Sequence, residues 1–141
     1  MSLDDWGQTP RFPPNDPQEW LNRARSNLAQ AREGSQIPEV YLEDLCFAAQ
    51  PATEKALKAV LIQLGIRFPR VHDLAELIGL LEETGMEIPN GVRQAARLTR
   101  YAVATRYPGI FEPVTPEQYQ AALFTAEEVV YWAQQVIRAA E

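Results

Sequence analysis

Gln50, Glu54 and Lys58 follow one another at four-residue steps. On a helix this spacing stacks an amide, a carboxylate and an ammonium along one line. Glu54 ahead of Lys58 is the favourable order for a helical ion pair, worth only about 0.2–0.5 kcal/mol on an exposed face. The line reads either as a solvated strip or as a polar pair inside a bundle, and the spacing leaves both open. His72 is the only histidine and Cys46 the only cysteine. A zinc site would therefore need carboxylates to complete its ligands, and no HExxH is present, so no metal site is expected. Nothing in the sequence places a nucleophile beside His72. Its expected role is positional: it precedes Asp73, a residue suited to capping a helix, and helps fix how the chain enters that helix.

Two sets of arginines add to these. Arg93, Arg97 and Arg100 stack on one outer face of an expected helix, either as a solvated face or as contacts to RNA phosphates. Arg106 falls on the opposite, inward side with Val92, Thr99 and Ala102 if that helix reaches it. An inward arginine must pair with a carboxylate or an anion, or extend to the rim. Glu54 is the candidate carboxylate.

Helices must position all of these groups. The longest helical pattern runs from Val40 to Leu64, where Leu42, Leu45, Ala49, Ala52, Ala56 and Ala59 recur at three- and four-residue steps. Phe47, Leu57, Val60, Leu61 and Leu64 widen this stripe, as expected of the central helix of a bundle. Pro51 lies inside it and typically costs about 3 kcal/mol there, but the pattern stays in phase, which predicts a kink rather than a break. Asp16–Pro17 opens a first helix with Trp20, Leu21, Ala24, Leu28 and Ala31 inward, and Gly34 ends it. Asp73 caps a third helix with Glu76 placed for a capping box, and Gly85 closes it. A Pro-Asn-Gly turn at 89–91 leads into a fourth helix with Val92, Ala95, Ala96, Thr99, Ala102 and Val103 inward. Thr115, Pro116 and Gln118 cap a last helix whose stripe runs from Tyr119 to Ala140. No stretch alternates with period two, so no strand is predicted.

The fold expected is all-α, an up-and-down bundle of about five helices with a four-helix core. Residues 1–15 read as a flexible arm, with Trp6 and Phe12 placed to lie against the bundle, and 16–141 as a single domain. At 141 residues and 46% hydrophobic composition the chain can bury one respectable core. The net charge of −6 argues against a generalised nucleic-acid coat but leaves room for a local basic patch. No apolar run approaches the ~18 residues of a membrane span. A lone cysteine suits a reducing compartment. A soluble cytoplasmic protein is expected, without cofactor and without a membrane partner.

The segment CFAAQPATEKALK at 46–58 resembles the second-helix motif of the HEPN family, with Cys46, Phe47, Ala49, Gln50, Glu54, Lys55 and Lys58 in step and Pro51 in place of a second Gln. His72-Asp73-Leu74 and Arg106-Tyr107-Pro108 match further motifs in order, and the resemblance spans roughly residues 17 to 139. It implies a homodimeric binding module working with a small nucleotidyltransferase, in a toxin–antitoxin-like, nucleotide-binding or RNA-binding role. It makes Gln50, Glu54, Lys58, Arg106 and Tyr107 the candidate ligand-binding set. Ribonucleases of the family resemble one another in an Arg followed after four to six residues by His, a metal-independent site completed across a dimer. Here Arg106 is matched, but Phe111, Glu112 and Pro113 occupy the His positions, so the enzymatic reading is disfavoured. Arg67 and His72 fit that spacing formally, in the wrong loop. The alternatives are a ribonuclease using Arg106 with another base, and a plain helical interaction protein.

Overall fold

The computed structural model describes residues 9–104 and 113–141. Among them are five main helical elements, a single 3-10 turn (Gly34–Gln36) after the first of them, and no strand: α1 (Pro17–Glu33), α2 (Leu42–Gln63), α3 (Leu74–Glu82), a composite fourth element, and α6 (Pro116–Ala139). The fourth element joins α4 (Asn90–Arg93), a 3-10 segment (Gln94–Arg100) and α5 (Tyr101–Ala104).

Local chemistry sets the helix ends. Asp16 accepts the Gln18 N–H at 2.9 Å, with Pro17 in the first turn of α1. Asp73 accepts the Ala75 N–H at 3.0 Å. Thr115 and Gln118 form a full capping box, each side chain accepting the other's N–H at 3.1 and 2.9 Å. Gly65, at φ 71°, stops α2. The Ile66 N–H returns to the Leu61 carbonyl and the Gly65 N–H to the Ile62 carbonyl, the Schellman pattern that a left-handed glycine permits.

α2 is the centre of the molecule. It packs against α1, α3, α5 and α6, and Leu45, Ala49, Ala52, Ala56, Leu57, Ala59, Val60 and Leu61 are all buried. It begins at Leu42. α2 runs unbroken through Pro51. Two expected stripe residues are exposed instead: Phe47 lies on the solvent side near Asp44, and Leu64 sits at the C-cap, where the helix ends.

α1 and α6 lie antiparallel. The Tyr119 hydroxyl donates to the Ala31 carbonyl at 2.6 Å, and Gln18 donates to Glu141 at 3.2 Å at the opposite end. Residues 10–14 fold back on α1: Asn22 and Trp20 donate to the Pro10 and Pro14 carbonyls, and Phe12 donates its N–H to Glu19. Trp6 lies outside the described residues.

The fourth element departs from the expected continuous α-helix. Val92, Ala95, Leu98 and Tyr101 are buried, three apart each time, which is the period of a 3-10 helix, and Ala102 beside Tyr101 is buried as expected. A 3.6-residue period would instead carry the buried line to Thr99. Thr99 is half-buried, and its hydroxyl accepts the Leu74 N–H at 3.0 Å.

Candidate functional site

The polar line of α2 is inside the protein. Gln50, Glu54 and Lys58 are only 2%, 6% and 6% exposed, so of the two open readings the interior pair is the correct one. A buried carboxylate and ammonium persist only when they satisfy one another and their remaining hydrogen-bonding capacity. Here Lys58 Nζ donates to Glu54 Oε2 at 2.8 Å. The other oxygen, Oε1, accepts from Gln50 Nε2 at 3.2 Å and lies 2.8 Å from His72 Nδ1. Gln50 also donates to the His72 carbonyl at 3.1 Å, fixing the backbone that presents the imidazole.

Aromatic rings complete the surroundings of Lys58. Its ammonium lies 5.8 Å from the Trp20 ring centre and 5.4 Å from that of Phe68, within cation–π range. The two rings meet edge to face at 6.0 Å. One helix line is thereby tied to α1 through Trp20 and to the 66–73 loop through Phe68 and His72.

Electrostatics follow from these partners. Burial alone would push the Glu54 carboxyl up, but the hydrogen bonds from Lys58, His72 and Gln50 and the charge of Lys58 outweigh it. The group is held below the usual carboxylate range. To meet Oε1, His72 Nδ1 must carry a proton, which leaves Nε2 as the outward nitrogen of a ring that is 72% exposed. A histidine oriented by a carboxylate through Nδ1, with Nε2 open to solvent, has the geometry of a general base. His72 thus precedes the Asp73 cap, the positional place expected of it, and also docks on Glu54. The clue available in the sequence was the coincidence of a buried-phase carboxylate at Glu54 with the only histidine.

The arginine stripe is changed by the 3-10 geometry. At about three residues per turn, Arg97 and Arg100 lie on one ridge and Arg93 is displaced by roughly a third of a turn. All three are exposed. Arg93 leans toward Glu82 at 3.7 Å, and the Arg100 guanidinium lies 5.6 Å from the Tyr101 ring centre. Arg106 and Tyr107 lie outside the described residues, as do Phe111 and Glu112 and the expected pairing of Arg106 with Glu54.

Among the described residues no cluster of three His, Cys, Asp or Glu side chains is arranged to hold a metal ion. Cys46 is fully buried, and burial pushes its thiol up to about 11, offset only in part by a hydrogen bond with Tyr101. No described helix is long and apolar enough to cross a membrane.

A five-element bundle built around a buried Gln-Glu-Lys line, with a histidine docked on it, defines a small helical domain of one class. The HEPN domain family matches residues 17–136; the chain belongs to that family. Two solved structures are similar to it. One is ST0689, an archaeal HEPN homologue, with a TM-score of 0.66 and 25% identity over 86% of this chain and 98% of that one. The other is TT1696 from Thermus thermophilus, with a TM-score of 0.60 and 31% identity over 89% of this chain and 96% of that one. No curated protein matches the chain significantly.

Proposed function

We propose that the chain is a HEPN-type binding module, a homodimer that acts with a small nucleotidyltransferase in a toxin–antitoxin-like or nucleotide- or RNA-binding role. Residues 16–141 form its single domain, with 1–15 as an arm that precedes it. One observation carries the preference for binding over cleavage: the acid and base groups of α2 are committed to one another in the interior. Glu54 and Lys58 hold each other at 2.8 Å where both are nearly sealed from solvent, and Phe111 to Pro113 stand where a family ribonuclease would have its histidine. Arg106 stays protonated and can neutralise phosphate, but it is a poor proton acceptor.

Most of the apolar breadth of α2 is taken up within the protomer, with Phe47 left exposed. One exposed apolar face that a second copy could cover is the outer face of α6, where Phe124 and Tyr131, seven residues apart, are 63% and 64% exposed. Light scattering on a gel-filtration peak should give twice the 15.9 kDa chain mass, and Tyr131→Glu should lower it. A monomer at micromolar concentration removes the dimer.

A second reading, a ribonuclease, is favoured by the His72–Glu54 dyad and by the Leu74–Thr99 bond that holds its loop against the fourth element. The deciding experiment is incubation with structured and unstructured RNA in EDTA, beside Arg106→Ala and His72→Ala. The binding-module reading expects no robust cleavage. Cleavage lost in both variants overturns it in favour of the enzyme.

A further inference from the structure

A cleft of about 590 Å³ lies between the chain leading into α1 and the α1–α2 pair. Thr9, Pro10 and Arg11 form one wall, α1 from Glu19 to Asn27 forms another, and Lys55 reaches it from α2. Its charge is opposite to that of the chain as a whole. Arg11, Arg23, Arg25 and Lys55 face a single carboxylate, Glu19, in a protein of net charge −6.

That carboxylate is part of the wall. Glu19 accepts the Phe12 N–H at 3.0 Å and Arg23 Nε at 2.7 Å, which holds it below the usual carboxylate range and fastens residues 10–12 in place. Arg25 donates to the Gln134 side-chain oxygen on α6. Lys55 is different. It is half-buried, its ammonium bonds the neutral Asn27 Oδ1 at 2.7 Å, and no carboxylate among the described residues lies within ion-pair range of it. Burial pushes its pKa down from the ordinary lysine value. The charge of Glu54 offsets that burial only in part, and the hydrogen-bond partner of Lys55 is a neutral amide, so an anion in the cleft would complete its compensation.

We propose that this cleft binds a compact phosphorylated small molecule, with Lys55 and Arg11 contacting the phosphate and Asn27 holding Lys55 toward it. The volume falls within the ~300–1,000 Å³ of small-molecule sites, so the phosphate is one end of a larger ligand. The wall at Pro10, tied by the 3.1 Å bond from Asn22, closes one side, which suits a discrete ligand better than a continuing RNA strand. The proposal uses neither Arg97 nor Arg100 and does not rest on the family-based reading above.

The test is titration of inorganic phosphate and pyrophosphate into ¹⁵N-labelled protein at physiological salt. The readouts are the Asn22 and Asn27 side-chain amides and the Trp20 indole, whose N–H bonds the Pro14 carbonyl beside the wall. Saturable shifts are expected, with pyrophosphate the tighter probe. Lys55→Gln should weaken binding about tenfold or more, the loss expected for one charge-assisted hydrogen bond. Arg11→Gln, a change at an exposed side chain, serves as the second variant if Lys55→Gln fails to fold, and should also weaken binding. Arg97→Gln/Arg100→Gln should bind like the parent. The site is overturned if neither probe gives a saturable shift or if both cleft variants bind unchanged. Shifts confined to the Arg97–Arg100 ridge, or produced only by an oligonucleotide, overturn it as well.

Discussion

Glu54 and His72 are eighteen residues apart in sequence, yet Oε1 of the one lies 2.8 Å from Nδ1 of the other. The contact joins the most buried helix of the bundle to an exposed ring in the loop before α3. It makes one carboxylate answer at once to a buried ammonium and to a group open to solvent, and the consequences for stability are direct.

Removing either partner of the buried pair leaves the other charged and uncompensated. Lys58→Met and Glu54→Met should each cost about 3–5 kcal/mol of unfolding free energy, whereas the double substitution should recover much of that loss, as well-packed apolar replacements of buried pairs do. Urea unfolding of the three variants and the parent checks the cycle. Additive single losses would mean that the two side chains do not depend on each other.

The same carboxylate should govern stability in acid. Its folded pKa lies below the 4.5 of a free glutamate, so between the two values the unfolded chain binds more protons than the native one. The stabilisation is therefore present above pH 4.5 and lost as pH falls through the folded value. Midpoints of urea unfolding measured from neutrality down to about pH 3 should fall more steeply for the parent than for Glu54→Gln. Parallel curves would remove Glu54 as the group responsible.

Cys46 should be unreactive in the folded protein. With the thiol fully buried and pushed up to about 11, almost none of it is thiolate at pH 8, and the thiolate is the nucleophile. Iodoacetamide should modify it only after denaturant unfolds the chain. Rapid modification of the native protein would show that the α2–α5 contact opens readily.

If RNA binds, its salt dependence should come from Arg97 and Arg100, which share a ridge, more than from Arg93, which sits off it. Replacing the first two with Gln should reduce the slope of log affinity against log salt by about 1–2 units, one per lost phosphate contact. Arg93→Gln should change it less. Equal effects of all three would restore a continuous stripe.

The helix caps and the central helix were legible in the sequence because they depend on neighbours a few residues away. Asp16, Asp73 and the Thr115–Gln118 box each act within one turn, and the α2 stripe repeats often enough to survive Pro51. The composite fourth element was not legible in the same way. Over its length the 3.0- and 3.6-residue periods separate, so Val92, Ala95 and Ala102 are buried as expected while Leu98 and Tyr101 are buried in place of Ala96 and Thr99. Phe47 was misplaced because the α2 pattern is apolar nearly all round and does not say which flank meets solvent. The docking of His72 on Glu54 depends on how a loop returns to a helix, information that helical periodicity does not contain. Arg106 and Tyr107, the family-matched candidates, lie outside the described residues.

The bond from Gln18 to Glu141 places the start of α1 beside the end of α6, while the Tyr119 hydroxyl joins the opposite ends of the same two helices. For a molecule held between a surface and a probe by its first and last helices, that arrangement is mechanically a zipper rather than a shear joint. Tension would load the Gln18–Glu141 end first and separate α1 from α6 turn by turn toward Tyr119, so that only a few contacts resist at any instant. Because α1 and α6 both pack on α2, and Trp20 of α1 lies against Lys58, the same tension would also load the helix that carries Glu54 and Lys58 as each turn separates.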